Sequence, residues 1–259
     1  MDLGLKNKKV LVTGGTGELG NEICNHFLKE GSKVFVISRG TKNLKNKKKL
    51  SKIISNKINF FIADLTKEKE IEKILSIFKK NRMNFDVIVH NLGGSLGVKQ
   101  NNSPIKLWKK VWDLNVGAAI SLNNYFLSSM KNKKWGRIVH ISSNGAENSG
   151  NQWQPAGGSA PYSASKSFLN NYISNLGREY AKHGIVVTGV MPGIISNSES
   201  GWQKMKLKKP KAYKNYINNF IPIGRFANPS EIAPFVLFLS SKQASYASSS
   251  IIRVDGGSL

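Results

Sequence analysis

Short runs of Val, Ile and Leu recur along the chain, separated by longer stretches in which apolar residues return every three or four positions. The runs lie at 10–12, 34–37, 58–63, 87–89, 137–141, 185–190 and 251–254. They are too short for helices and are nearly continuous in apolar character, as strands covered on both faces are. The amphipathic stretches at 18–30, 67–80, 105–130, 160–183 and 229–239 predict helices; Gly31 stops the first and Gly117 sits inside the third. Strand–helix alternation of this kind builds βαβ units with right-handed crossovers, hence an α/β, doubly wound parallel sheet of about seven strands with helices on both faces. No linker, repeat or low-complexity segment breaks the pattern, so 1–259 is expected to form a single domain. The least sheet-like region, 196–220, is rich in Lys, Trp and Tyr. It follows the sixth strand, where such a sheet places insertions over its ligand crevice, and is expected to be a substrate lid.

Composition narrows the setting. Hydrophobic residues make up 40% of the 259, enough for a large core. No apolar run approaches the roughly 20 residues that span a membrane, and the first residues lack a signal-peptide pattern. A cytoplasmic location is the resulting expectation. One cysteine, Cys24, leaves no internal disulfide, and its place between Ile23 and Phe27 on a predicted helix suits a buried thiol. The formal charge of +24 comes from 39 Lys and Arg against 15 acids. Only six of the basic residues are Arg, and the Lys are scattered in loops and exposed helix faces, as in 42–52 and 204–214. Nucleic-acid readers cluster charge and use Arg on base edges, so the expectation is a solvated surface, with attraction of an anionic substrate as the alternative and no nucleic-acid partner.

The candidate chemistry begins where the first strand runs into Thr13-Gly14-Gly15-Thr16-Gly17-Glu18-Leu19-Gly20. Gly14 lets the chain turn, Gly17 lets backbone approach a pyrophosphate, and Gly20 lets helix and strand pack closely. The following helix offers free N–H groups and a positive dipole end to phosphates. A glycine triplet alone is a weak signal; between a first strand and a first helix it marks a Rossmann-type dinucleotide site, with Thr16 and Leu19 in the loop. The second strand ends Ser38-Arg39-Gly40, without the acid that holds the ribose hydroxyls of NAD. Arg39, with Lys42, suits a 2′-phosphate, so NADP(H) is favoured over NAD(H); otherwise Arg39 is one more solvated cation. Asp64 and Leu65 follow the third strand. Asp64 either accepts from an adenine amino group or caps the next helix.

Tyr162 and Lys166 open the long helix after the fifth strand at i, i+4 and so share a face. A phenol titrates near pH 10 and is a poor acid or base at neutrality; a neighbouring ammonium is expected to lower that value. Before this helix, the strand Arg137-Ile138-Val139-His140-Ile141 ends in Ser142-Ser143, and a hydroxyl at a strand's carboxyl end can bond a substrate carbonyl and the developing alkoxide. With the glycine loop, Asp64, Asn91-Leu92-Gly93-Gly94, Asn115, Met191-Pro192-Gly193 and Val254-Asp255-Gly256-Gly257, these residues resemble the short, single-domain branch of the short-chain dehydrogenase/reductase family over essentially the whole chain. Within it the closest overall similarity is to 3-oxoacyl-carrier-protein reductases.

The resemblance implies a catalytic set of Asn115, Ser143, Tyr162 and Lys166. Ser143 would polarise the carbonyl and Tyr162 would protonate it. Lys166 would bind ribose and tune Tyr162, and Asn115 would hold a water linking Lys166 to solvent. It also implies that Asn91 and Gly93 flank the adenosine ribose, and that Pro192 and Gly193 border the nicotinamide. Ser143 is preferred to Ser142 because the family's serine is the second residue after the strand's last Ile. Departures are Glu18 where the short branch has Gly, a long 144–161 stretch containing Gln152, Trp153 and Gln154, and no Thr after Pro192-Gly193, for which Ser196 or Asn197 is the expected substitute. Glu18 must then point away from the pyrophosphate.

Remaining candidates are weaker. His26, His90, His140 and His183 have no metal-ligand spacing, so no metal is expected. His90 and His140 read as packed strand residues. Trp153 and Trp202 are candidates to stack on substrate. The expected activity is interconversion of a carbonyl and a secondary alcohol, on a 3-oxoacyl thioester or on a keto-sugar or nucleotide-sugar. The alternative is a catalytically silent cofactor-binding scaffold. The resemblance further implies a homodimer or homotetramer, with Trp108, Trp112, Phe168 and Tyr172 as interface candidates.

Overall fold

The structure is a computed structural model, and it describes residues 1–40, 57–98, 102–147, 159–198 and 201–258. Seven strands form one parallel sheet: β1 (Lys9–Thr13), β2 (Lys33–Ser38), β3 (Ile58–Ile62), β4 (Val87–His90), β5 (Gly136–Ile141), β6 (Ile185–Pro192) and β7 (Ile251–Val254), in the order β3-β2-β1-β4-β5-β6-β7. The central strand β1 pairs on both sides, Val12 standing opposite Val36 of β2 and Val89 of β4. The chain builds outward from β1 to β3, then crosses to β4 on the other side. The carboxyl ends of β1 and β4 therefore part around a crevice.

Pleating sends alternate side chains into two separate cores. Leu11, Ile37, Ile88, Ile138 and Val187 face one way, against α2 (Glu68–Lys80), α4 (Ala118–Lys133) and α5 (Ala160–Tyr180). Val10, Val36, Val89, Val139 and Val190 face the other, against α1 (Glu18–Lys29) and α8 (Pro229–Leu239). Each fully buried Val, Ile, Leu or Phe contributes roughly 1.5–3 kcal/mol of transfer free energy, so both faces are strongly held. Cys24 is in the second core, and burial pushes its thiol up to about 12.

The helical stretch 105–130 is resolved into α3 (Ile105–Trp112), a π-helical turn (Asp113–Gly117) and α4. Gly117 does not break it; the wide turn absorbs the irregularity while the backbone stays helical. The fifth helix ends at Tyr180 and closes with a 3-10 turn (Ala181–His183), so the sequence overruns its α part by three residues. The region after β6 is not a loop. It carries α6 (Gly201–Lys208) and α7 (Pro210–Phe220). Pro stands at or beside the first residue of α5, α7 and α8, where its missing N–H costs nothing. Among the described residues no helix is long and apolar enough to cross a membrane, and no cluster of His, Cys, Asp and Glu could hold a metal.

Candidate active site

The first half of the crevice is built by β1, its loop and the head of α1. Gly14 takes a φ of +65°, and a Cβ on Gly20 would lie 2.4 Å from the Gly14 carbonyl oxygen, so the turn and the close packing both require glycine. Gly17 caps α1 without any side-chain hydrogen bond to the first turn, which leaves the helix's amino end available to an anion. Asn91 reaches back from the end of β4 and donates Nδ2 to the Gly14 carbonyl at 3.1 Å. A cavity of about 340 Å³ opens here. Gly14, Thr16, Gly17, Leu19 and Gly20 line it from the loop, Arg39 from β2, Leu65 after β3, and Asn91 and Gly93 after β4. An uncapped helix end, glycines with no room for a Cβ and a cavity of this size fit the dinucleotide that the loop implied.

Residues missed as cofactor contacts also line this cavity, Ile37 and Ser38 at the end of β2, Ala63, Leu92 and Glu18, and so does Asn197. Ser38 precedes Arg39 directly and was legible from it. Asn197 is one of the two residues expected in place of the absent Thr. Asp64 does not line the cavity. Its Oδ1 accepts from the Thr66 amide at 3.1 Å and the Thr66 hydroxyl at 2.7 Å, a local turn in place of the expected helix cap, since α2 begins after Lys67 without a side-chain cap.

The second half is built by β5 and α5. Ser159 caps α5, its Oγ accepting from the Tyr162 amide at 3.3 Å, which sets the start of the helix and with it the face that carries Tyr162 and Lys166. Ser143 Oγ accepts from the Gly145 amide at 3.1 Å and stands beside the Tyr162 phenol, whose ionised form it favours. Ser142 instead donates to Asn170 Oδ1 at 2.5 Å and is buried. The two adjacent serines are thus separated by geometry, and Ser143 is the one beside Tyr162. Lys166 Nζ donates to the Ile141 carbonyl at 2.6 Å and lies 5.7 Å from the centre of the Tyr162 ring. Asn115 sits in the π-helical turn, which aims its amide away from the helix. Its Nδ2 donates to the carbonyls of Val111 and Gly94, at 2.7 and 2.9 Å, and its Oδ1 accepts from the Gly94 amide at 3.0 Å. A Cβ on Gly93 would lie 2.8 Å from Asn115 Oδ1 and 3.1 Å from Lys166 Nζ, so this loop is the wall where the two halves meet.

Burial dominates the electrostatics. The Lys166 ammonium is sealed in and its value falls to about 7. The Tyr162 phenol is pushed up by burial, with the Ser143 hydroxyl pulling the other way. This corrects the expected lowering by Lys166: the ammonium is turned onto the Ile141 carbonyl, and desolvation of the phenolate outweighs it. A phenol held in its protonated form is a proton donor.

Pro192 ends β6, and Gly193 packs on Asp255 with its amide donating to the Val254 carbonyl at 3.0 Å. Neither lines the larger cavity; Gly193 lines a smaller one of about 100 Å³ with Ile221 and Arg225. Trp202 packs on Tyr216 and Phe226, with ring centres 4.4 and 5.4 Å away, and so helps build the small apolar cluster of α6 and α7. Lys42, Gln152, Trp153, Gln154, Glu199 and Ser200 lie outside the described residues. Of the interface candidates, Trp112 and Phe168 are 38% and 47% exposed and meet edge to face, whereas Trp108 is half-buried. Tyr172 is turned inward instead, its hydroxyl accepting from Asn123 at 3.1 Å, because it packs against the core on the sheet side of α5.

The chain is similar to known proteins in sequence and in fold. The family model for short chain dehydrogenases matches residues 8–207. The chain is 31% identical over 258 residues to a 3-oxoacyl-[acyl-carrier-protein] reductase of Rickettsia felis, covering 98% of both. It is 30% identical to the same enzyme of Aquifex aeolicus, covering 99% of both. Among solved structures, L-sorbose reductase of Gluconobacter frateurii, complexed with NADPH and L-sorbose, superposes with a TM-score of 0.86 at 26% identity, covering 100% of this chain and 99% of that one. The chain belongs to the short-chain dehydrogenase family and is an NAD(P)-dependent oxidoreductase.

Proposed function

We propose that the chain reduces a carbonyl through Tyr162, with Ser143 and Lys166 as its partners and NADP(H) as the preferred cofactor. The observation that carries this is the Ser143 hydroxyl beside the buried Tyr162 phenol, with Lys166 Nζ held on the Ile141 carbonyl at 2.6 Å and 5.7 Å from the centre of the Tyr162 ring. The bound nicotinamide supplies or accepts the hydride. Ser143 and Tyr162 present two hydroxyls to one carbonyl oxygen: Ser143 polarises it and Tyr162 hands it a proton as negative charge develops. Lys166 holds ribose and supplies positive charge behind the phenol. Asn115, packed against the same wall, carries the water through which the lysine is reprotonated. Arg39, exposed at the rim of the cavity, is placed to pair with a 2′-phosphate.

The substrate reading we favour is a 3-oxoacyl thioester on an acidic carrier. The sequence relatives named above act on such thioesters by name, and α6 and α7 support it. With the residue that joins them they carry six Lys (204, 206, 208, 209, 211 and 214) and no acid. A keto-sugar is the second reading, favoured by the L-sorbose reductase likeness and by the polar Asn197 in the cavity. We further propose that 196–220 is the substrate lid of a single-domain enzyme that works as a homodimer or homotetramer, with Trp112 and Phe168 in a contact between copies.

Cofactor oxidation with acyl thioesters and with ketoses separates the two substrate readings. With the substrate found, Tyr162→Phe should lower kcat by at least about a thousandfold while NADPH affinity stays within about threefold, because one proton donor is lost and the dinucleotide cradle is untouched. Retained turnover in that variant refutes the assignment of Tyr162, whereas a parent that binds NADPH and turns over neither substrate class favours a cofactor-binding scaffold.

A further inference from the structure

Glu18 departs from the glycine-rich pattern at the place where a negative charge is least expected, the first residue of the helix that receives the pyrophosphate. Its carboxylate spans to the root of the lid. Both oxygens accept from the Ser198 amide, at 3.2 and 3.3 Å, and Oε1 also accepts from the Ser198 hydroxyl. The root is fixed on its other side by the segment before α8: Ile195 bridges Ala227, with the Ser196 amide donating to the Ala227 carbonyl at 2.8 Å. Glu18 and Asn197 line the same cavity. Charge-assisted hydrogen bonds to one carboxylate are the strongest polar contacts available at such a rim.

We propose that Glu18 is a positioning residue of the cofactor site: through Ser198 it staples the root of the lid to the dinucleotide cradle, so that a bound cofactor leaves only when this bond opens. The proposal rests on reading 196–220 as a lid and on the cradle binding NADPH. It makes a departure from the glycine pattern functional. A carboxylate that merely sat near the pyrophosphate would repel it, and its removal would tighten binding. A staple predicts the opposite sign.

NADPH release can be followed by its fluorescence in a stopped-flow instrument, with an equilibrium titration alongside. Glu18→Ala should speed release by about tenfold or more, the range of one to two lost hydrogen bonds to a charged group, and Ser198→Ala, which loses the hydroxyl bond but keeps the backbone amide bonds, by a smaller factor. The double variant should be no faster than Glu18→Ala, because without the carboxylate the Ser198 hydroxyl has nothing left to hold. Glu18→Asp, a methylene shorter with the charge kept, should behave like Glu18→Ala, and Glu18→Gln, which keeps an acceptor, should fall between. In the protein without cofactor, hydrogen exchange at the 194–198 amides should quicken in Glu18→Ala while β1, β4 and β5 stay protected; loss of protection throughout would mean misfolding and calls for the same measurement on Ser198→Ala. Slower or unchanged release in Glu18→Ala, or an Asp variant matching the parent, overturns the staple alone. Failure of the parent to bind NADPH at all overturns the reading of the cradle with it.

Discussion

The two buried imidazoles behind the catalytic wall illustrate how much a single residue can cost. His90 and His140 stack with ring centres 4.6 Å apart. His90 Nε2 meets Asn123 Oδ1 at 2.8 Å, but among the described residues neither ring nitrogen of His140 has a partner. The edge of Tyr172 and the ammonium of Lys166 are its other polar neighbours. Burial holds His90 down to about 4 and His140 well below its ordinary value. Below pH 6.5 the unfolded chain takes up protons on these rings and the folded chain does not, so stability falls as the pH drops from there toward 4, by up to about 1.4 kcal/mol per pH unit for each ring. His140→Leu removes one ring and its unpaired atoms. Denaturant titration should find it at least as stable as the parent at pH 7.5, and more stable by about 1–2 kcal/mol at pH 5.5. At the far end of the crevice, Arg39→Ala should weaken NADPH binding by about tenfold or more and leave NADH binding unchanged, since only the former carries the 2′-phosphate. Equal losses for both would sink the assignment of Arg39; fluorescence titration distinguishes them.

Elements place these residues by their ends. The π-helical turn is the clearest case, because it aims Asn115 at the Gly94 backbone from within an otherwise continuous helix. Such turns often mark functional sites, since one extra residue redirects a side chain without breaking the helix. The start of α8 is set by a capping box in which the Asn228 side chain accepts from the backbone of the first turn and the Glu231 side chain accepts from the Asn228 amide, at 2.8 Å for the latter. Arg225 grips both oxygens of Glu231 at 2.7 Å and holds that carboxyl down to about 2. This exposed pair adds little by itself, but it orients the cap. Asn228→Ala should therefore cost about 1 kcal/mol, read as a lower denaturation midpoint with unchanged slope.

At the scale of the whole molecule, charge is the unusual feature. A chain at +24 with basic α6 and α7 attracts acidic partners over a distance set by the ionic strength. Turnover of a thioester on an acidic carrier should fall steeply, through a rising KM, between 50 and 300 mM salt, while turnover of an uncharged ketose should hardly change. A salt-independent KM for the carrier-bound substrate would remove α6 and α7 from its recognition. The apolar exposure of Trp112 and Phe168 belongs to this scale too, because it is the surface of the molecule rather than its core that leaves these rings uncovered.

The linear chain determined the strand and helix alternation, the glycine loop, the Tyr162–Lys166 spacing and the choice of Arg39 over an acid, because each is a local pattern whose physical meaning is carried by neighbours a few positions away. Even the reason to prefer Ser143 over Ser142 lay in one-residue spacing, although only the packed strand end shows Ser142 turned to Asn170. What the sequence could not supply depends on partners far along the chain. The direction of the Tyr162 shift follows from how deeply β5 and α5 bury it, not from the nearby lysine. The contact of Glu18 with Ser198 joins residues 180 positions apart. The stacking of His90 on His140 exists only because β4 and β5 are neighbours in the sheet, and the inward turn of Tyr172 only because α5 lies on that face. Spacing fixes which groups can share a face; burial and long-range pairing decide what charge they carry and whom they touch.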